Sequence, residues 1–156
     1  MEWLNAGLGP LEKLISFLQD RSKTNDVQKR ELLRELQHNL NVFKNGYMNQ
    51  FPEDTIIQHL NNEAIKAAIK ANFKFSKIKA GKIEPYHVKE DRNKRYIGWT
   101  LDQLFDKIDE KLEEIRTLQK MKVGTVSQLR NNTALMLSNL YYRLKLAADF
   151  IQSDMK

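Results

Sequence analysis

The apolar periodicity of residues 33–47 is the feature that most restricts how this chain can fold. Apolar residues recur there at steps of three, four, three and four: Leu33, Leu36, Leu40, Phe43 and Tyr47. That spacing places all five on one face of an α-helix, whereas a half-buried β-strand would alternate apolar and polar residues. A helix with one apolar face must pack that face against other elements. The sequence therefore predicts an amphipathic helix over about 26–46.

Similar stripes predict four more helices, over about 3–20, 54–79, 100–121 and 125–153. Two of these begin with a capping-box pattern, a threonine followed three residues later by a glutamine, at Thr100 and at Thr125. A chain of 156 residues has the length of one ordinary domain. We predict an all-α, single-domain antiparallel bundle of about five helices that spans residues 1–156, with a long irregular connection at about 82–98.

The end of the third helix allows two interpretations. The apolar stripe continues through Phe75 and Ile78, with Gly81 ending the helix. Alternatively, the chain forms a small hairpin about Ala80 and Gly81 that pairs Ile78 with Ile83. We favour the helix, because an isolated hairpin is marginally stable and this one places two lysines opposite each other.

The last predicted helix has two apolar faces. Its main stripe is accompanied by a second group on the opposite side: Leu135, Tyr142, Leu146 and Phe150. A helix that is apolar on both sides is either central in its bundle or contacts a second protomer. The sequence therefore also predicts a possible homodimer through this second face.

Charge is concentrated just before the fourth predicted helix. The net charge is +6, and residues 74–99 contain eight basic and three acidic residues, whereas residues 1–73 are balanced. Such a local excess points to an anionic partner or an acidic surface within the protein. Cations that could bind phosphate stand beside rings on which bases could stack. The candidate polyanion-binding residues are Lys77, Lys79, Lys82, Arg92, Lys94, Arg95, Tyr96 and Trp99.

Four functions compete for this basic segment. In the first, Tyr96, Ile97 and Trp99 fix the segment to the bundle as a structural strap. In the second, the segment binds nucleic acid or another polyanion, and in the third it contacts a protein or membrane surface. In the fourth, His87, Arg92 and Arg95 form the site of a nucleic-acid-processing enzyme. We predict a non-enzymatic binding or interaction module, with the enzyme as the alternative.

Several classes of site are missing from the sequence. Without cysteine there is neither a disulfide framework nor a thiolate metal site, and no phosphate-binding glycine loop or Gly-x-Ser-x-Gly elbow is present. We therefore expect no metal and no cofactor. The N-terminal residues carry acidic side chains and are interrupted by Gly7, Gly9 and Pro10, so they fit neither a signal peptide nor a membrane span. The expected location is cytoplasmic, and a membrane partner is not expected.

Overall fold

A computed structural model describes residues 8–153, and the predicted all-α class is confirmed. Within that range, six α-helices follow one another: α1 Leu8–Arg21, α2 Val27–Met48, α3 Glu53–His59, α4 Glu63–Lys70, α5 Leu101–Met121 and α6 Thr133–Gln152. Short 3-10 helices lie in the connections, at Phe75–Lys77, Pro85–His87, Asp91–Tyr96 and Val126–Gln128. Among the described residues there is no β-strand, only an isolated bridge between Lys82 and Thr100.

The core forms around α6, which packs against α1, α2 and α5. The apolar stripes that predict α1 and α2 are buried, with Leu11, Leu18, Leu40 and Phe43 all completely inaccessible. Trp3 and Leu4, which extend the first stripe, lie outside the described residues. The shorter helices α3 and α4 each contact both α2 and α5, so they connect the two longest helices.

The third predicted helix, over 54–79, is interrupted in the structure. It is divided into α3 and α4 by an extended turn at Leu60–Asn62. The turn is fixed from α2, since the Asn39 amide donates to the Asn61 carbonyl at 2.7 Å and accepts from the Asn61 backbone nitrogen at 2.8 Å. Because partners on a distant helix satisfy this backbone, the local stripe could continue through Leu60 without revealing the break.

The helix predicted over 54–79 also ends earlier in the structure than the sequence predicts. α4 ends at Lys70, and Asn72 takes a left-handed conformation with φ of 54°. The Phe73 backbone nitrogen donates to the Ala68 carbonyl at 2.9 Å and that of Asn72 to the Ile69 carbonyl at 3.1 Å, which is a Schellman ending. The alternative hairpin is wrong too, because Ile83 pairs with Gly98 and Trp99 through two 2.8 Å backbone hydrogen bonds.

Two other helix ends differ from the prediction. α2 continues through Gly46 to Met48 and ends with Gln50 in the left-handed region. α6 begins at Thr133, not at Thr125, which precedes only a single 3-10 turn. The Asn132 side chain caps α6 by accepting from the Leu135 backbone nitrogen at 3.0 Å. The predicted capping box at Thr100 is present, since its backbone nitrogen donates to Gln103 Oε1 at 2.9 Å.

The second apolar face of α6 is covered within the same chain. Leu146 and Phe150 are 1% and 0% exposed, whereas Leu135 remains half exposed. Phe150 contacts the His87 ring edge to face at 4.8 Å, and the guanidinium of Arg92 lies 4.4 Å from the centre of the Tyr142 ring. The predicted dimer face is therefore corrected, because α6 is central and residues of the basic segment cover this side.

Candidate functional site

The basic segment crosses α6 as a strap, a name that we use for residues 82–99. Its two ends meet where Ile83 pairs with Gly98 and Trp99 and where Lys82 forms the isolated bridge to Thr100. Between these ends the chain forms the two 3-10 helices Pro85–His87 and Asp91–Tyr96. The strap is thus a closed loop whose residues 85–96 lie against α6.

Tyr96 is the deepest side chain of the strap. It is 1% exposed, and its hydroxyl accepts a 2.6 Å hydrogen bond from Nε of Arg143, itself a buried residue of α6. Trp99 meets the Tyr96 ring edge to face at 4.8 Å. A ring enclosed in this way offers no face to a nucleic acid base, so the predicted stacking role of Tyr96 is wrong.

Further polar contacts join the strap to α6. The amide of Asn93 donates to the Tyr142 carbonyl at 3.0 Å, and Arg92 donates to the Ser138 hydroxyl at 2.8 Å. Lys145, with a side chain 8% exposed, forms ion pairs with Glu90 at 2.9 Å and with Asp149 at 3.3 Å. Burial lowers the pKa of Lys145, but attraction to Asp149 and Glu90 outweighs burial and holds this pKa above its usual value. The ammonium therefore stays charged and fixes the strap.

The three residues of the alternative enzyme site have separate structural contacts. His87 is 4% exposed, and its Nδ1 accepts a hydrogen bond from the Glu84 backbone nitrogen at 2.8 Å. The guanidinium of Arg92 is held by α6, and that of Arg95 lies 5.1 Å from the centre of the Tyr96 ring. A general acid or base must reach its substrate, and the burial of His87 does not favour that role.

Most of the remaining predicted cations lie on the surface of the strap and the connection before it. Lys77, Lys82, Lys94 and Arg95 are exposed, and so are two basic residues outside the predicted set, Lys74 and Lys89. Lys94 forms an exposed ion pair with Asp91 at 3.1 Å. Lys79 is half-buried, with its ammonium 5.3 Å from the centre of the Phe150 ring. The segment therefore directs Tyr96 toward α6, leaves Tyr86 exposed, and directs most of its cations toward solvent.

Trp99 has a different environment from the one predicted. It is half-buried and lines a cleft of about 230 Å³ together with Gln103, Asp106, Lys107 and Glu110 of α5. A base stacked on Trp99 would bring its phosphates close to Asp106 and Glu110; Glu110 is paired with Lys107 at 3.5 Å, so Asp106 would supply most of the repulsion. The surroundings of this ring therefore do not favour nucleic acid.

A second feature, which sequence reasoning missed, is a groove between α2 and α4. It has a volume of about 520 Å³ and is lined by polar side chains that include Glu31, Arg34, Glu35, His38 and Glu63. Glu35 is buried, and its carboxylate accepts hydrogen bonds from the backbone nitrogens of Ala64 at 2.7 Å and Ile65 at 3.0 Å. It caps α4 from another helix, since the Asn62 side chain forms no cap and the Asn61 side chain accepts only from the Glu63 backbone nitrogen, at 3.0 Å.

Burial raises the pKa of Glu35 from 4.5 to about 7, although its two backbone hydrogen bonds act in the opposite direction. The signal was present in the sequence, where a glutamate stands between Leu33 and Leu36 within the apolar stripe of α2. Nearby, Nε2 of His38 donates to the His59 carbonyl at 2.8 Å. These contacts join α2 to α3 and α4. The Glu35 carboxylate and the His38 imidazole therefore stabilise the packing of these three helices.

On the far side of the α3–α4 turn, a second polar network reaches α5. The amide of Asn62, which is completely buried, donates to Asp109 at 2.7 Å and to Glu113 at 2.8 Å. Its oxygen accepts from the guanidinium of Arg116 at 2.6 Å. Hydrogen bonds from Asn62 and Lys66 lower the pKa of Glu113. The turn is thus fixed by α2 on one side and by α5 on the other.

Two further properties concern the described residues as a whole. Within residues 8–153, no three histidine or carboxylate side chains come together in an arrangement that could hold a metal ion. No helix in the same range combines the length and the apolar character needed to cross a membrane.

Comparison with protein-family models, with curated proteins and with solved structures finds no match for this chain.

Proposed function

We propose that this protein is a non-enzymatic binding module that contacts a polyanion through the exposed cations of its strap and of the connection before it. One observation carries the proposal. Most of the cations of the strap point outward, whereas the rings of Tyr96 and Trp99 pack against the bundle and only part of the aromatic surface, at Tyr86, is exposed. An electrostatic contact with phosphate or sulfate groups requires only such outward cations.

Charge balance supports the same conclusion. Of the three acidic residues in this region, Glu90 is paired with Lys145 and Asp91 with Lys94, so the exposed Glu84 contributes most of the repulsion toward an anion. Lys77, Lys82, Lys89 and Arg95 are exposed on the same segment. Because the rings of Tyr96 and Trp99 are turned toward the bundle, binding should depend mainly on the charge of the polyanion and little on its sequence.

The proposal predicts a strong dependence of binding on salt. Affinity for a labelled single-stranded oligonucleotide should fall steeply between low and physiological salt, because each neutralised phosphate releases counterions. Replacing Lys82, Lys89 or Arg95 singly with glutamine should reduce the slope of log affinity against log salt by about one each. Fluorescence anisotropy across a salt series measures both quantities.

Lys23→Gln is the matched control, since Lys23 is an exposed, weakly paired lysine on the turn after α1. It should leave the slope unchanged, and heparin should compete with the oligonucleotide. Trp99→Ala should not weaken binding, in contrast to a site in which bases stack on this ring. Binding that is insensitive to salt, or that falls equally in Lys23→Gln, would contradict the proposal.

A further inference from the structure

Three arginines come together where the strap crosses α6. Arg92 and Arg95 belong to the 3-10 helix Asp91–Tyr96, and Arg143 belongs to α6. We call these three residues the arginine cluster. Arg92 and Arg95 are exposed, whereas Arg143 is only 4% exposed. No aspartate or glutamate among residues 8–153 forms an ion pair with any of the three. Buried arginines normally have a charged partner, so the absence of one here points to a ligand.

Contacts on one stretch of α6 place the cluster together. Nη1 of Arg92 donates to the Ser138 hydroxyl at 2.8 Å and to the Asn139 amide oxygen at 3.2 Å. Asn139 precedes Arg143 by four residues, so these two side chains lie on the same face of α6, about 5–6 Å apart at their Cβ atoms. Arg95 follows Arg92 by three residues, which is one turn of a 3-10 helix, so the two side chains are aligned along that helix. The strap and α6 thus bring the three cations to one place.

The ring of Tyr96 contacts both Arg95 and Arg143. Their guanidinium carbons lie 5.1 Å and 5.9 Å from the ring centre, and the Tyr96 hydroxyl accepts the 2.6 Å hydrogen bond from Nε of Arg143. The two Nη atoms of Arg143 form no hydrogen bond with residues 8–153 and are not fully buried. The buried guanidinium therefore keeps its outer edge available to a ligand.

The groups that hold the cluster are neutral, and the carboxylates near it are engaged elsewhere or lie apart from it. Glu90 and Asp91, which precede the cluster in the sequence, pair with lysines at 2.9 Å and 3.1 Å. Asp106 and Glu110 line the cleft beside Trp99 and form no ion pair with the cluster. The three positive charges thus have no direct counter-charge among the described residues, so an anion would be attracted to them.

We propose that the arginine cluster binds one phosphate monoester group, the terminal phosphate of a nucleic acid strand. The proposal rests on the polyanion contact proposed above and gives one end of that polyanion a defined position. Guanidinium groups bind phosphate oxygens through pairs of parallel hydrogen bonds. A phosphate monoester has a charge of about −1.5 to −2 at neutral pH and three terminal oxygens. A phosphodiester of the strand interior has a single charge and only two such oxygens, so it fits three guanidinium groups less well.

Two labelled single-stranded oligonucleotides that differ only in a 5′-phosphate test the proposal. At physiological salt the phosphorylated strand should bind at least about tenfold more tightly, as expected for a few hydrogen bonds between charged groups. A strand without the 5′-phosphate but two nucleotides longer is the charge-matched control, and its gain should not exceed about twofold. Fluorescence anisotropy measures the three affinities, and inorganic phosphate should reduce the difference between the first two strands.

Substitutions that retain the charge locate the site. Arg92→Lys and Arg95→Lys keep a cation but lose the planar guanidinium, so each should lower the affinity ratio of the two strands to about two or less. Arg143→Lys should do the same, and a thermal melt checks that this buried substitution leaves the protein folded. Lys89→Gln removes an exposed cation of the strap outside the cluster. It should weaken the binding of both strands and leave their ratio unchanged.

The outcomes separate this proposal from the polyanion contact on which it rests. Salt-dependent binding of both strands with equal affinity would leave the polyanion contact standing and overturn the phosphate site. An equal gain from the longer strand would do the same, because it would show that added charge alone accounts for the difference. A phosphoserine peptide that binds while the phosphorylated strand does not would assign the cluster to a protein partner instead. Absence of binding by every oligonucleotide would overturn both proposals.

Discussion

Tyr96→Ala should lower the free energy of unfolding by about 3–5 kcal/mol, the range expected when a large buried aromatic ring is removed from a core. Tyr96 is 1% exposed and lies between Trp99 and α6. The substitution would empty its site and also remove the acceptor for Nε of Arg143, a buried cation. Loss of a partner by a buried charge is itself strongly destabilising.

Two control variants separate these contributions. Tyr96→Phe keeps the ring but removes the hydroxyl, so it should cost about 1–3 kcal/mol, the range for a buried polar group that loses its hydrogen bond. Tyr86→Ala removes a tyrosine of the same strap that is 61% exposed, and it should cost less than about 1 kcal/mol. Urea unfolding followed by circular dichroism measures all three. An equal effect of Tyr86→Ala and Tyr96→Ala would show that Tyr96 does not anchor the strap.

The structure links two features of the sequence, the basic segment and the second apolar face of α6. The sequence allows several roles for the basic segment, a structural strap among them, and it does not identify what covers the second apolar face of α6. The strap covers that face, through contacts such as His87 on Phe150 and Arg92 on Tyr142. Local sequence could not predict this pairing, because the residues concerned are about 50 or more positions apart and only the folded chain joins them.

Periodicity predicted the helices whose packing is uniform along their length. α2 and α5 have a single apolar face each, and their bounds lie close to the predicted ones. The helix predicted over 54–79 failed where tertiary contacts replace helical hydrogen bonds, at Asn39 with Asn61 and at Asn62 with α5. Its ending was locally encoded, however, since Asn72 is a residue type that tolerates the left-handed conformation.

Candidate sites were harder to predict than the fold. Whether a side chain can bind a ligand depends on its exposure and on its hydrogen-bond and ion-pair partners in the folded chain. Charge counting located the basic segment along the chain but could not show that Tyr96 points inward or that Arg92 is held by Ser138. The apolar residues alone define the stripe of α2, so they do not single out Glu35. A carboxylate within an apolar stripe must find donors when buried, and here the donors are the first free backbone nitrogens of α4.

Glu35 leads to the second large effect, a loss of stability as the pH rises. Its pKa is about 7 in the folded protein, against 4.5 as its ordinary value, because burial disfavours the carboxylate. Between these two values the folded state binds more protons than the unfolded state, so the free energy of unfolding falls with increasing pH. At about 1.4 kcal/mol per pKa unit, the full change is on the order of 3 kcal/mol. The favourable contribution is complete below about pH 4.5 and is lost by the time the pH exceeds about 7.

Glu35→Gln isolates this contribution, since glutamine has nearly the same shape and does not titrate. The variant retains every other titrating group, so the effects of those groups cancel when the two proteins are compared at each pH. The stability of the wild type relative to Glu35→Gln should therefore decline by about 3 kcal/mol from pH 4.5 to pH 8, with most of the change below pH 7. Urea unfolding at closely spaced pH values measures the difference. A difference that stays constant across this range would mean that Glu35 is ionised throughout, and that its two backbone hydrogen bonds outweigh the cost of its burial.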